Sequence, residues 1–408
     1  MNLIVLGVFA FVYLGMILGR VPGFAVDRTG FALLGAIALM AVGRRTPQQA
    51  WDAVDVGTIG LLLGLMVVSA QFRLGGFYAW VTRRLAGYER SPEALLALLV
   101  IVVAGLSAVL ANDIVCLAVA PVLVEGCARR GLDPLPFLLA LACAANVGSA
   151  ATLIGNPQNM LIGQALHLSF AGYLADSAAP VVLGTAAVWC VIAWRFRGRW
   201  HRESPVPEVE TQPFNGWQTA KGFIVLGFLL GAFLFSPWPR EVLALAGAGI
   251  LLMSRKMGTR TMLQLVDWHL LVLFVGLFVV NSALADSGML GHAMQSLQSA
   301  GVNVESPGWL FGITVVLSNV VSNVPATMLL LPAARHPLAG PILALASTLA
   351  GNLFIVGSIA NIIVVDQAER LKVRISWLDH ARVGVPVTML TLALAAGWLW
   401  LRWAGVFG

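Results

Sequence analysis

The sequence predicts an all-α polytopic membrane protein made of two inverted-topology repeats, with about ten transmembrane helices and two re-entrant hairpins that adjoin interrupted helices. Three observations carry this. Hydrophobic residues make up 59% of the 408 residues and charged ones 11%, and the mean hydropathy is +0.87, too apolar for a soluble globule. The apolar residues fall into spans whose lengths suit a hydrocarbon core about 30 Å thick, which takes roughly 20 helical residues to cross. Finally, the two halves echo one another. Adding 211 carries Leu106-Ser-Ala-Val-Leu-Ala-Asn112-Asp113 onto Leu317-Ser-Asn-Val-Val-Ser-Asn323-Val324, with Ser107/Ser318, Asn112/Asn323 and Pro121/Pro332 identical, and adding 212 carries Arg28 onto Arg240, Asp55 onto Asp267, Gly64 onto Gly276 and Gly76 onto Gly288. In so apolar a chain, matches of glycine and charge signify duplication where matches of leucine would not.

Met1 to Gly19 lacks a basic leader and a small-residue cleavage site, so helix 3–19 is read as a retained span rather than a signal peptide. Helices at 29–43 and 57–72 follow, then Phe77 to Glu89, where Tyr78, Trp80, Val81 and Leu85 alternate with Arg83 and Arg84 in the pattern of a helix lying in the interface. Helices 93–110 and 114–127 flank Asn112-Asp113, and each is short for a full span, which suggests a hairpin. Leu135 to Ala151 begins a span that breaks at 152–159 and resumes to about 167, and 179–194 closes the first repeat, 1–194.

The proline-containing stretch 195–221 reads as a cytoplasmic linker. The second repeat, 222–408, repeats the order: helices at 222–236, 242–253 and 268–285, a weakly polar stretch 286–306, a hairpin of 307–320 and 325–333, a span from Pro341 broken at 355–361, and a last helix at 383–402. With the linker inside, alternation gathers most Lys and Arg on that face. It leaves 168–178 and 286–306 outside without any, with Arg44/Arg45, beside Asp52 and Asp55, and Arg335 as exceptions. This predicts a multi-pass protein of the cell inner (plasma) membrane with both termini outside. The net charge of +6 therefore reads as topology, and no nucleic-acid partner is expected. Cys116, Cys127, Cys143 and Cys190 have no paired short spacing and read as small core residues.

An asparagine inside an apolar span costs several kcal/mol unless protein, water or an ion partners it. A single one usually just bonds a neighbouring helix, but placement beside a helix break in both halves points to a site. Hydroxyl and amide oxygens of Ser107, Asn112, Ser318, Ser322 and Asn323, with carbonyls freed at Gly155 and Gly357, are hard ligands suited to a small cation. Half-helix N-termini after the breaks, at Asn156-Pro157 and Ser358, suit an anion. Asp113, with Val324 as its counterpart, is either a proton- or cation-exchanging carboxylate or a salt-bridged or capping acid. Asn146 and Asn352 read as packing links. No metalloprotease, nucleophile-elbow or Walker motif is present, so an enzyme is not expected.

The strings Ala111-Asn-Asp113, Val147-Gly-Ser-Ala-Ala-Thr-Leu-Ile-Gly-Asn-Pro-Gln-Asn159, Ser322-Asn-Val-Pro325 and Gly357-Ser-Ile-Ala-Asn361 resemble those of the ion transporter superfamily of divalent anion:sodium symporters, citrate carriers, arsenite permeases and a class of sodium/proton antiporters. The resemblance covers nearly the whole chain and is greatest to bacterial anion or arsenite-type permeases. It implies substrate at the two hairpin tips (Asn112, Asp113, Ser322, Asn323, Val324) and by Asn156, Pro157 and Ser358. It also implies Na⁺ at Ser107, Asn112, Asp113 and Gly155 and at Ser318, Ser322, Asn323 and Gly357, and a homodimer. The family's Ser-Asn-Thr signature is altered here, with Ala111 for Ser, and Asp113 and Val324 for the two Thr. The expected function is a secondary-active transporter of a small oxyanion or carboxylate coupled to Na⁺ or H⁺, with no other cofactor. Na⁺/H⁺ antiport through Asp113 is the rival, and a channel or intramembrane enzyme is a remoter alternative.

Overall fold

The computed structural model describes residues 2–19, 25–88, 91–203, 205–254 and 256–405. Arg20, Arg90 and Arg255, which contribute to the charge pattern, lie outside these residues, as do Met1 and Glu89. Twenty α-helices run through the described residues, and their order repeats after the tenth. The first half comprises α1 (Asn2–Leu18), α2 (Arg28–Ala41), α3 (Pro47–Asp52), α4 (Val56–Leu74), α5 (Phe77–Ala86), α6 (Pro92–Val109), α7 (Asn112–Arg129), α8 (Pro134–Ser149), α9 (Pro157–Ala165) and α10 (Phe170–Arg195). Its counterpart comprises α11 (Gly216–Phe235), α12 (Arg240–Leu252), α13 (Thr259–Leu263), α14 (Trp268–Asp286), α15 (Met289–Ser299), α16 (Pro307–Val321), α17 (Asn323–Leu330), α18 (Ala339–Ala350), α19 (Ile359–Arg370) and α20 (Trp377–Trp403). Helices α4, α6, α10, α11, α14 and α20 are each long and apolar enough to cross a membrane.

The helices begin where the side chains can satisfy the first free N–H groups. Asp55 accepts from Thr58 N at 2.9 Å, and its repeat partner Asp267 accepts from Leu270 N at 2.9 Å, which explains an acid retained at the same place in both halves. The interrupted spans are α8/α9 and α18/α19, and both resume at a capped residue, Asn156 or Ser358. Each hairpin lays both of its arms along the following helix, α6 and α7 on α8, and α16 and α17 on α18.

Helices α1, α2, α4, α11, α12 and α14 pack mainly on one another, whereas the hairpins, the broken spans, α10 and α20 form a second body. The first body is held by two equivalent crossings, α4 on α12 and α14 on α2. At each crossing a glycine lies on a backbone: a methyl at Gly64 would be 2.6 Å from the Ala244 carbonyl carbon, and one at Gly276 2.7 Å from that of Ala32. Small residues permit such approach, which stands in for the hydrophobic drive that lipid removes.

Several boundaries differ from expectation. Helix α10 starts at Phe170 rather than 179, because Ser169 caps it and its polar residues find partners: Asp176 binds Arg402 of α20 at 2.8 Å, and Ser177 Oγ donates to Ala151 O at 2.7 Å. Helix α20 starts at Trp377 rather than 383, behind a capping box of Ser376 and Asp379, and α11 starts at Gly216, shortening the connection between halves to 196–215. The stretch 286–306 contains α15, the counterpart of α5. α5 is only partly an interface helix, since Phe77, Tyr78, Thr82 and Leu85 are buried while Trp80 and the arginines face outward. Two of the three exceptional cations are neutralised: Arg45 pairs with Asp286 at 2.6 Å rather than with Asp52 or Asp55, and Arg335 pairs with Glu305 at 3.3 Å, whereas the buried Arg44 Nε has no partner among the described residues.

Gly64→Ala should lower the midpoint of thermal unfolding in detergent, at a cost of about 1–3 kcal/mol for overpacking. Gly227→Ala, with nothing within 4 Å of the added carbon, should leave it in place. Equal midpoints for the two variants would show that the crossing has slack.

Candidate functional site

The site begins with the breaks. Where α8 and α18 stop, carbonyls lose their helical partners and must find others within the protein. In the first half, Asn159 Nδ2 donates to Thr152 O at 2.9 Å and Ser149 O at 3.4 Å. In the second, Asn361 Nδ2 donates to Phe354 O at 3.1 Å and Gly351 O at 2.8 Å. These are the same positions in both halves, related by 202 (149/351, 152/354, 159/361). The next carbonyl is reached from the closing helix of each half: Tyr173 Oη donates to Ala150 O at 2.8 Å, and the His380 ring Nε2 lies 3.0 Å from Asn352 O.

The breaks also hold the halves together, reciprocally. Ser358 Oγ donates to Asn146 Oδ1 at 2.8 Å and Asn146 Nδ2 donates to Asn361 Oδ1 at 3.0 Å. The mirrored bonds are Asn156 Nδ2 to Thr348 Oγ1 at 3.2 Å and Thr348 Oγ1 to Asn159 Oδ1 at 3.5 Å. Thus Asn146 corresponds to Thr348, and Asn352, which accepts from Asn146 at 2.8 Å, corresponds to Ala150.

The hairpin tips sit against this centre. Around Gly155 the backbone leaves no room for a side chain: a methyl there would lie 2.2 Å from Ser149 O and 2.8 Å from Ser107 O. Gly357 is looser, at 3.1 Å from Asn319 Oδ1 and Gly351 O. At the first tip, Ser107 Oγ and Asn112 Oδ1 are buried without a hydrogen-bond partner, with Ser107 0% and Asn112 5% exposed. At the second tip, Ser318 Oγ meets the Asn323 amide and donates to Ser347 O at 3.0 Å. Both ends of the Asn323 amide are satisfied when its nitrogen faces Ser318, Ser347 O (3.2 Å) and Gly357 O (3.3 Å) and its oxygen accepts from Gln158 Nε2 at 3.2 Å. No hydrogen bond joins Asn112 to Asn323. Val324 is buried in the core, and Pro157 opens α9.

The tips differ in backbone too. Ser322 has φ 78° and ψ 160°, a region that L side chains rarely enter and that costs of order 1–3 kcal/mol, whereas its counterpart Ala111 is relaxed at φ −57°. Each tip is steadied by the first body at equivalent positions of α4 and α14. Ser69 Oγ accepts from Ala111 N at 3.3 Å, and Asn281 accepts from Tyr13 Oη at 2.9 Å, a hydroxyl that also reaches Pro325 O at 3.5 Å.

Asp113 is half-buried in the first turn of α7 and lies within electrostatic range of Asp267. It has no salt bridge among the described residues and caps no backbone N–H, so neither ordinary role for a buried acid applies. One and two turns along the same face, Leu117 and Pro121 line a cavity of about 750 Å³ together with Arg73, Tyr78, Glu210 and Arg370. No group of three or more His, Cys, Asp or Glu residues is gathered among the described residues. Gln158, Asn159 and Asn361 stand in the strings singled out in the sequence but were given no role, which the repeat at a shift of 202 supplies for the two asparagines; Thr348, Tyr173 and His380 were missed and have no such signal.

Comparison with known proteins completes the description. A transporter of Mycobacterium tuberculosis, described as uncharacterized, is 30% identical over 407 residues, covering 93% of this chain and 94% of that protein. The silicon efflux transporter LSI3 of Oryza sativa is 26% identical over 452 residues, covering 92% of each. In fold, the chain is similar to the YdaH transporter of Alcanivorax borkumensis (TM-score 0.59, 14% identity, 98% of this chain and 97% of that one). It is also similar to MtrF of Neisseria gonorrhoeae (TM-score 0.57, 12% identity, 98% and 94%). The sequence profile of the CitMHS citrate transporter family matches residues 11–350. With a match over most of its length and membrane transporters as its relatives, this multi-pass membrane protein belongs to the CitMHS citrate transporter family.

Proposed function

We propose that the protein is a secondary-active transporter of a small anion, an oxyanion or a carboxylate, bound between the two hairpin tips and coupled to Na⁺ or H⁺. The observation that carries this is the pair of buried, unpartnered oxygens at the first tip, Ser107 Oγ and Asn112 Oδ1, which suit the coupling cation rather than the anion itself. Leaving such groups unpaired costs about 1–3 kcal/mol each, and a ligand that binds and leaves is a reason to keep them. The N-termini of α7, α9, α17 and α19 supply N–H groups suited to an anion. The family name supports a carboxylate, and the rice relative's name a small inorganic solute. The cavity beside Arg73 and Arg370 is the proposed approach from the linker side. The cell inner membrane, outward termini and a homodimer belong to the same reading.

Na⁺/H⁺ antiport is the second reading, favoured by Asp113 standing unpaired below that cavity. Uptake into proteoliposomes separates the two. Accumulation of citrate, phosphate, arsenite or sulfate under a Na⁺ or H⁺ gradient supports anion transport, whereas Na⁺-dependent proton movement with no such anion present supports antiport.

Asn112→Ala and Asn323→Ala should each cut uptake by at least about tenfold. Their stabilities should part, because Asn323→Ala strands Gln158 and Ser318 and costs about 1–3 kcal/mol, while Asn112→Ala removes an acceptor that is already unpaired. Full activity in either variant would remove that asparagine from the site. Asp113→Asn should change the pH or cation dependence of transport, with assembly on size exclusion unchanged. A profile that overlays the parent's would make Asp113 structural.

A further inference from the structure

The duplicated half-sites are chemically unequal, and Gln158 is the residue that makes them so. We propose that the protein binds one monovalent cation, at the first tip, and that the side-chain amide of Gln158 occupies the equivalent place at the second. This rests on the transporter reading above, but it is tested apart from it.

Gln158 is buried, and its two N–H donors are used in the other half of the molecule: Nε2 donates to Thr348 Oγ1 at 3.1 Å and to Asn323 Oδ1 at 3.2 Å. A carboxamide NH₂ carries partial positive charge, so it satisfies the Asn323 oxygen as a coordinated cation would. With that oxygen bonded, the Asn323 nitrogen turns to Ser318, and each side chain of the pair has a partner within the protein. At the first tip the register that relates the breaks puts Ala360 at the position of Gln158. Helix α19 packs on α7, yet a methyl has no donor to offer Asn112. The outcome is two orphaned oxygens on the arms of the first tip, Asn112 Oδ1 and Ser107 Oγ, with the Ser107 carbonyl against Gly155. Several neutral oxygens without a carboxylate cluster suit a hard monovalent ion better than a multivalent one. Near its break the second half keeps, among the described residues, a single orphaned oxygen, Asn319 Oδ1 beside Gly357; the orphaned Asn352 Nδ2 is a donor, and the unpartnered Thr327 Oγ1 lies a turn into α17. A single oxygen does not make a coordination shell.

The test is thermal unfolding of the purified full chain titrated with sodium chloride against choline chloride at constant ionic strength. Sodium should stabilise the parent with a Hill coefficient of about 1. Ser107→Ala should weaken the apparent sodium affinity by about tenfold or more, whereas Ser318→Ala should hold it within about twofold. Gln158→Ala, or Gln158→Met should the smaller residue fail to fold, should open the second place, so that the unfolding free energy rises about twice as steeply with the logarithm of sodium concentration near saturation. No sodium response in the parent, equal losses in the two serine variants, or an unchanged limiting slope in the folded Gln158 variant would each overturn the proposal. Because no anion is used, sodium binding without anion uptake in proteoliposomes would fail the transporter reading alone, and anion uptake without sodium binding would fail this inference alone.

Discussion

A helix that stops and restarts inside an apolar protein leaves carbonyls that lipid cannot satisfy, and the rest of the centre depends on how two such breaks are repaired. Asn159 and Asn361 do this at the same repeat positions, each reaching back over its own break to two carbonyls. The repair is then shared between halves, since Asn146 serves Ser358 and Asn361 while Thr348 serves Asn156 and Asn159. A pseudo-twofold pair of polar clamps results, closed enough to be rigid and buried enough for each bond to matter.

Against that satisfied frame, what is left unsatisfied has meaning. The first tip keeps Ser107 Oγ and Asn112 Oδ1 buried and free, whereas at the second the equivalent pair, Ser318 and Asn323, is satisfied internally while Ser322 is strained. Strain and orphaned polar atoms are both costs that a fold without a ligand would shed. Under the one-cation proposal, their division between the tips would be the way a duplicated architecture specialises one half for an ion and leaves the other as a scaffold for the solute. A single pair of substitutions at mirrored positions, glutamine in one half and alanine in the other, is enough.

Most of the architecture was legible in the sequence because lipid imposes a length rule on spans, and because glycines and acids recur where crossings and caps need them. Gly64/Gly276 and Asp55/Asp267 are such pairs. The ends of α10 and α20 were hidden, since Asp176, Ser177 and Asp379 read as loop residues until their partners in distant helices are known. The clamps were hidden for a different reason. The register between halves changes from 211 at the hairpins to 202 at the breaks, so an alignment carried forward from Asn112 and Asn323 pairs Asn159 with the wrong residue and leaves Gln158 unremarked. The tips were legible as polar insertions in apolar spans; their inequality was not, because it depends on which side chain crosses over from the opposite half.

The packing of α10 against α20 has a consequence for how the molecule is made. These helices lie at the ends of the two halves, and α8 and α18 each contact the far member of the pair as well as the near one. Contacts so distant along the chain form only once both partners exist. The ribosome must therefore deliver the last helix before the face of α10 that bears Asp176 meets Arg402. Until then a carboxylate and the polar lining of the first clamp lie open within the nascent bundle. The binding centre is thus completed at the end of synthesis, and a chain cut short before α20 would carry every tip residue yet present a surface for quality control to recognise.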